Sequence, residues 1–315
     1  MRRLVVFLIV VGVLLLCIAP FTIMGQFQKF FTQVYDGLTN VGEQQKTIEP
    51  KIEVSVKENS SYWATNGASG LPELISTVAF SVSNLGDGPA ENIEVATKID
   101  EILTNTLSVE LLQPSETYSN SITVYTSCNS ATVVTVEASC NLSSATGTLI
   151  VNANLTRKFD QNLARFFVTP GDKSVIELRI KILKDKPILT VNWMALRDWV
   201  GTNIQYKSDA EIHGDEEFWQ FPNETITLGT GDCEDFSVLL CSLLRADGWS
   251  SDKVYVILGE HNDEYHAWVR MTWNGLQYNL EPQGNGFAVA MGDILSLSGY
   301  DAKYFFNDEK LGTFD

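Results

Sequence analysis

The stretch Gly229-Thr-Gly-Asp-Cys-Glu-Asp-Phe-Ser-Val-Leu-Leu-Cys-Ser-Leu-Leu-Arg-Ala-Asp-Gly248 decides how this chain is read. Phe236, Leu239, Leu240, Leu243 and Leu244 recur at i, i+3, i+4, i+7 and i+8, the spacing of one apolar helix face. Gly248 stands where a C-cap glycine belongs. The spacing therefore predicts a helix buried along one side. Residues 229–232 are breakers and N-cap formers, so Cys233 is expected in the first helical turn. Unpaired N–H groups and the positive end of the helix dipole favour a thiolate there, and such sites can lower a cysteine pKa from about 8.5 to roughly 3.5–7.5. Cys241, further along the same helix, reads as a small buried hydrophobe.

A nucleophile needs a base, and the histidines are His213, His261 and His266. His266-Ala-Trp-Val-Arg-Met-Thr-Trp273 and Leu276-Gln-Tyr-Asn-Leu-Glu-Pro282 are alternating runs around Asn274-Gly275, a strong hairpin signal. A two-residue turn sets the register, so that Trp273 faces Leu276, Trp268 faces Glu281 and His266 faces Gln283. Ala267, Val269, Met271 and Trp273 then share an apolar face with Leu276, Tyr278, Leu280 and Pro282. The opposite face sets His266 diagonal to Glu281, at about 7–8 Å between backbones, within reach of a glutamate–imidazole hydrogen bond. Asn279 is the poorer partner. Cys233, His266 and Glu281 thus read as a nucleophile, a base and an orienting acid. Glu281 as a cross-strand partner of Arg270 or Trp268 is the plainer alternative.

Gly-Asp-Cys233-Glu-Asp-Phe-Ser, the apolar helix ending Leu-Arg-Ala-Asp-Gly, His266-Ala-Trp, and a strand ending in an acid and proline together resemble the transglutaminase-like domain of the papain-like cysteine proteinase superfamily. Trp219-Gln-Phe-Pro-Asn-Glu-Thr resembles the segment before the nucleophile in archaeal and bacterial members. The resemblance covers roughly residues 170 to 290. It implies Cys233 as nucleophile, His266 as base and Glu281 as the acid that orients it. The family more often has aspartate at the third position, so Glu281 must reach with one more methylene. The resemblance further implies an oxyanion-binding tryptophan or glutamine upstream, for which Trp219, Gln220 and Trp199 are candidates; Trp199 suits bulk packing better.

Met1-Arg-Arg precedes an uncharged apolar run from Leu4 to Met24, long enough at about 1.5 Å per residue to span a bilayer. The arginines before it predict a cytoplasmic N-terminus with the rest outside. No Ala-x-Ala site follows, which favours an uncleaved anchor over a signal peptide. Gln26 to Pro50, with Phe27, Phe30, Phe31 and Val34 at helical spacing, reads as an interfacial stalk. From Lys51 to Leu155 short alternating runs recur between turn signals: Ile52–Val56, Val78–Val82, Ile93–Thr97, Ser121–Tyr125, Thr132–Val136 and Gly147–Val151. About seven strands suggest a β-sandwich, and Val82-Ser-Asn-Leu-Gly-Asp-Gly-Pro-Ala with Leu112-Gln-Pro-Ser-Glu resembles the immunoglobulin-like adhesion modules of prokaryotic surface proteins. Cys128 and Cys140 flank an extended run of about 20 Å, too far apart for a disulfide. Sequons at Asn59, Asn141, Asn154 and Asn223 permit glycosylation. Helices are expected over Asn162–Val168, Val175–Leu183 and Val191–Ile204, the last with Trp193, Leu196, Trp199 and Val200 at core spacing. After Gln283, short helices and turns are expected. His213 and His261, among charged neighbours, read as exposed, and Asp209 to Glu217 as a solvated acidic loop rather than a calcium site.

The expected fold is α+β: a membrane anchor at 1–25, a stalk at 26–50, an all-β immunoglobulin-like sandwich at 51–156 and a transglutaminase-like cysteine proteinase domain at 157–315. Net charge −17 and an acidic pI count against nucleic acid or an anionic membrane surface as partner. The sequence carries no phosphate loop, dinucleotide fingerprint or CxxC pair, and no cofactor or metal is expected. The expected activity is thiol acyl transfer on an amide of a protein or peptide substrate, outside the membrane, with water or a lysine amine as acceptor. A reading of a different class is a surface binding module with a vestigial site. Oligomeric state is not legible.

Overall fold

Alternation of buried and half-buried residues along Pro72–Asn84 is complete: Leu74, Ser76, Val78, Phe80 and Val82 all point inward, as the two-residue period of a strand requires. A computed structural model describes residues 29–30, 32–33, 47–283, 289–291 and 299–314. The strands are β1 (Ile52–Thr65), β2 (Pro72–Asn84), β3 (Ala90–Ile99), β4 (Ile102–Leu112), β5 (Thr117–Ser127), β6 (Ala131–Cys140) and β7 (Ser143–Asn152). They form two antiparallel sheets, β1-β2-β5 and β4-β3-β6-β7. Phe80, Val82, Ile93, Val95, Val136 and Ala138 are buried together in this sandwich. Cys128 and Cys140 are free thiols on either side of β6.

The second half begins with a short 3-10 turn, Ala164–Phe167, where a longer helix was expected. Then come α1 (Lys173–Asp185), α2 (Asn192–Asn203), β8 (Gln205–Tyr206), α3 (Asp209–Ile212), α4 (Pro222–Leu228), β9 (Thr230–Gly231) and α5 (Cys233–Ala246). An antiparallel set of strands follows: β10 (Val254–His261), β11 (Glu264–Trp273), β12 (Leu276–Leu280), β13 (Val289–Met291), β14 (Tyr300–Phe306) and β15 (Leu311–Thr313). They pair in the order β13-β12-β11-β10-β14-β15. Helix α5 packs on this sheet and is buried on every side from Glu234 to Leu244, not along one face only. Its polar members are satisfied internally: Ser242 Oγ donates to the Val238 carbonyl and accepts from Thr169 N–H, and Ser237 Oγ donates to the Cys233 carbonyl. The expectation of helices after Gln283 is also corrected, since the described residues there form strands.

The β11–β12 register is the one the turn predicts, with Trp273 opposite Leu276, Met271 opposite Tyr278 and Val269 opposite Leu280. Asn274 and Gly275 both have positive φ, as a type I′ turn requires. Ala267, Val269, Met271, Tyr278 and Leu280 are buried, whereas Leu276, beside the turn, is half exposed.

The Leu4–Met24 run lies outside the described residues, and among those described no helix is long and apolar enough to cross a membrane. Of the expected stalk, residues 29–30 and 32–33 are helical.

Candidate active site

Helix α5 begins at Cys233 with Asp232 as its N-cap residue in extended conformation. The sulfur lies beside the Ala267 backbone N–H of β11. Cys233 and His266 line one cavity of ≈ 370 Å³, walled by Phe159, Trp219, Leu258 and Tyr304 and rimmed by Glu217 and Lys303. That size and mixture suit a side chain of a peptide-sized ligand.

On the far wall, His266 Nε2 lies 3.0 Å from Glu281 Oε2 and 3.2 Å from Oε1, with both side chains about one-sixth exposed. This is the diagonal contact that the hairpin register predicts. Of the alternative partners, Arg270 Nε donates to Asn279 Oδ1 at 3.0 Å. With Nε2 engaged by the carboxylate, Nδ1 is the nitrogen left to meet a thiol. Glu281 is itself held, its carbonyl accepting from Arg197 Nε at 3.0 Å and its Oε1 accepting from the Tyr300 hydroxyl at 2.5 Å.

The electrostatics at Cys233 differ from the sequence expectation. Burial, then the Glu234 and Asp232 carboxylates, push the thiol up, against a smaller downward pull from the Ala267 N–H. The sulfur donates to Glu234 Oε2 at 3.2 Å. Burial, with two acids flanking the thiol, outweighs the partial charge of a helix terminus. The resting group is therefore a thiol, not a thiolate. Asp232, Glu234 and Asp235 are all raised as well, in each case chiefly by burial.

Asp209 corrects the reading of residues 209–217 as a solvated loop. It is buried, accepts from Phe218 N–H at 2.5 Å, and brings a carboxylate oxygen within 4.8 Å of oxygens of Asp232 and Asp235. These three oxygens suit a shared proton or a hard cation. Asp235 Oδ1 in turn accepts from Gln220 N–H at 2.8 Å, tying α5 to the segment before α4.

Of the oxyanion candidates, Trp219 reaches the cavity, but its indole N–H donates to Glu217 at 2.8 Å. Gln220 is buried, with its side-chain amide unpaired among the described residues. Trp199 packs against the core. The two remaining histidines are less exposed than expected. His213 stacks on Phe218 at 4.0 Å. His261 stacks on Tyr300 at 4.0 Å and stands 5.6 Å from the His266 ring. Tyr300 escaped the sequence reading because its neighbours come from strands distant in sequence. The run Tyr300-Asp-Ala-Lys-Tyr-Phe-Phe, with its aromatic alternation, was the available signal that a strand lay there.

Residues 183–282 match the family model described as the transglutaminase-like superfamily, and residues 49–141 match the model described as CARDB. Among solved structures, EGTA-treated LapG of Legionella pneumophila is 18% identical, covering 51% of this chain and 88% of that one at a TM-score of 0.35. Calcium-bound LapG is 21% identical, covering 49% of this chain and 81% of that one at a TM-score of 0.34. The CARDB domain of the PF1109 protein of Pyrococcus furiosus, solved with di-metal ions, is 16% identical, covering 36% of this chain and 100% of that one at a TM-score of 0.28. No curated protein matches the chain.

Proposed function

We propose, from the premise that residues 183–282 are a transglutaminase-like domain, that the protein is a thiol acyl-transfer enzyme acting on amide bonds of a protein or peptide. The observation that carries the reading is the His266–Glu281 contact at 3.0 Å in the wall of the cavity that Cys233 also lines. A carboxylate on Nε2 fixes the ring and stabilises its protonated form, which is what a base that takes up a thiol proton needs.

Because burial and acids hold the resting sulfur as a thiol, proton transfer accompanies attack rather than preceding it. On substrate binding the S–H leaves Glu234 for His266 Nδ1, and sulfur adds to the amide carbonyl. The carbonyl oxygen, now negative, is met by a backbone N–H at the start of α5. Protonated His266 then returns its proton to the departing amine, leaving a thioester on Cys233. Water releases an acid; a lysine amine instead makes a cross-link. Hydrolysis is favoured because water is always available. The Leu4–Met24 run would anchor the enzyme with its folded part outside the membrane.

One observation favours a non-catalytic surface module instead: the thiol's hydrogen bond to Glu234, which opposes its ionisation. Incubating the full chain with surface-protein extract, quenching in acid and searching Cys233 peptides by mass spectrometry separates the readings. The enzyme predicts an acyl mass on Cys233 that is lost in His266→Ala, and a labelled primary amine reports the acceptor. Cys233 free of acyl groups throughout would leave the module.

A further inference from the structure

Glu281 follows the last residue of β12, so the strand ladder does not fix its side chain. Compared with an aspartate it has one more rotatable bond between backbone and carboxylate, and the angle of its oxygens to His266 needs a second tether. Arg197 Nε holds the Glu281 backbone carbonyl. The Tyr300 hydroxyl reaches the carboxylate itself, donating to Oε1 at 2.5 Å while Oε2 stands 3.0 Å from His266 Nε2.

We propose that Tyr300 is a positioning residue for the Cys233–His266–Glu281 unit, its hydroxyl holding one oxygen of Glu281 so that the other faces the imidazole. The proposal rests on the reading of Cys233 and His266 as nucleophile and base. Tyr300 is built for the task. Its ring lies flat on His261, at 4.0 Å between centroids and 12° between planes, and meets fully buried Trp268 edge-on at 5.0 Å. It pairs with His261 in the β10–β14 ladder, and β10 in turn pairs Gly259 with His266 of β11. Three strands thus fix the donor and the imidazole relative to one another, and the carboxylate is held between them. Burial and Glu281 both raise the phenol above its ordinary range, so the hydroxyl keeps its proton and remains a donor at working pH. The charged and titratable groups around this unit are His261 and Tyr300 on the neighbouring strands and Arg197, paired with Asp198, on α2. Cys233, Asp232 and Glu234 come from α5, and Lys303, Tyr265 and Tyr304 from the cavity lining.

Tyr300→Phe keeps the ring and its stacking and removes only the donor. The rate of Cys233 alkylation by iodoacetamide, followed by peptide mass spectrometry from pH 5 to 9 in the full chain, needs no substrate. In Tyr300→Phe the plateau rate is expected to fall about tenfold, a part of what general-base assistance contributes. In Glu281→Gln, adding Tyr300→Phe should change the rate less than about twofold, since the two act through one contact. A Tyr300→Phe rate equal to that of the unaltered chain, or effects of the two substitutions that multiply, would overturn the proposal. A wild-type rate that His266→Ala leaves unchanged would instead overturn the reading of the site beneath it.

Discussion

Asp235 is almost wholly inaccessible, yet it carries a carboxylate that accepts from the Gln220 N–H and sits near two other acids. Burial, and then the Asp232 charge, raise it well above the ordinary carboxylate range. A carboxylate whose folded pKa is raised binds its proton more tightly in the folded state. Its contribution to stability is therefore complete below the unfolded value near 4 and declines as pH rises from there through neutrality. The exposed acids with lowered values, Glu211, Asp252 and Glu309, pull the other way, but surface interactions of this kind contribute little. Melting followed by circular dichroism in a chelator should give a higher Tm at pH 5 than at pH 8, with a smaller difference in Asp235→Asn. A Tm that rises towards pH 8 would contradict this. None of it was legible in Gly229–Gly248 as a string: the acids beside Cys233 were visible, but Asp209, which comes close to Asp232 and Asp235, lies more than twenty positions upstream. Local spacing placed the sulfur at a helix start correctly and misjudged its ionisation.

At the scale of elements, alternation and turn chemistry carried most of the information. Asn274-Gly275 fixed one register, and that register placed Glu281 against His266. Strand β14 was harder to place because its partner β10 is some forty residues earlier. The close fit of β10 against β14 turns on Gly259, where an added Cβ would lie 2.0 Å from the Asp301 carbonyl oxygen and 3.0 Å from the Ala302 Cα. Backbone cannot yield as a flexible side chain can. Gly259→Ala should therefore lower stability by about 1–3 kcal/mol and displace Tyr300 from Glu281, reducing Cys233 alkylation with it. Unchanged unfolding midpoints and unchanged alkylation would show that the strand pair tolerates the methyl group.

Over the whole molecule, residues Pro50–Asp315 form one compact unit, although the sequence reads as two modules of different composition. The tip of the β1–β2 hairpin makes the join. Trp63 packs 6.5 Å from Phe166, and a Cβ at Gly70 (φ +68°) would lie 2.1 Å from the Gly171 carbonyl carbon. Backbone thus meets backbone there, close to where α1 starts at Lys173. Such contacts leave no periodic mark, so the sandwich and the α+β half were each legible while their junction was not. The account as a whole depends on Cys233 and His266 working together, in a chain whose Cys128 and Cys140 are also part-exposed free thiols and serve as internal references. The most direct measurement is the rate of iodoacetamide alkylation at each of these cysteines in the intact chain at neutral pH. Cys233 should react at least about tenfold faster than Cys128 and Cys140, with the advantage lost in His266→Ala; equal rates at all three sites, unaffected by that substitution, would contradict the account.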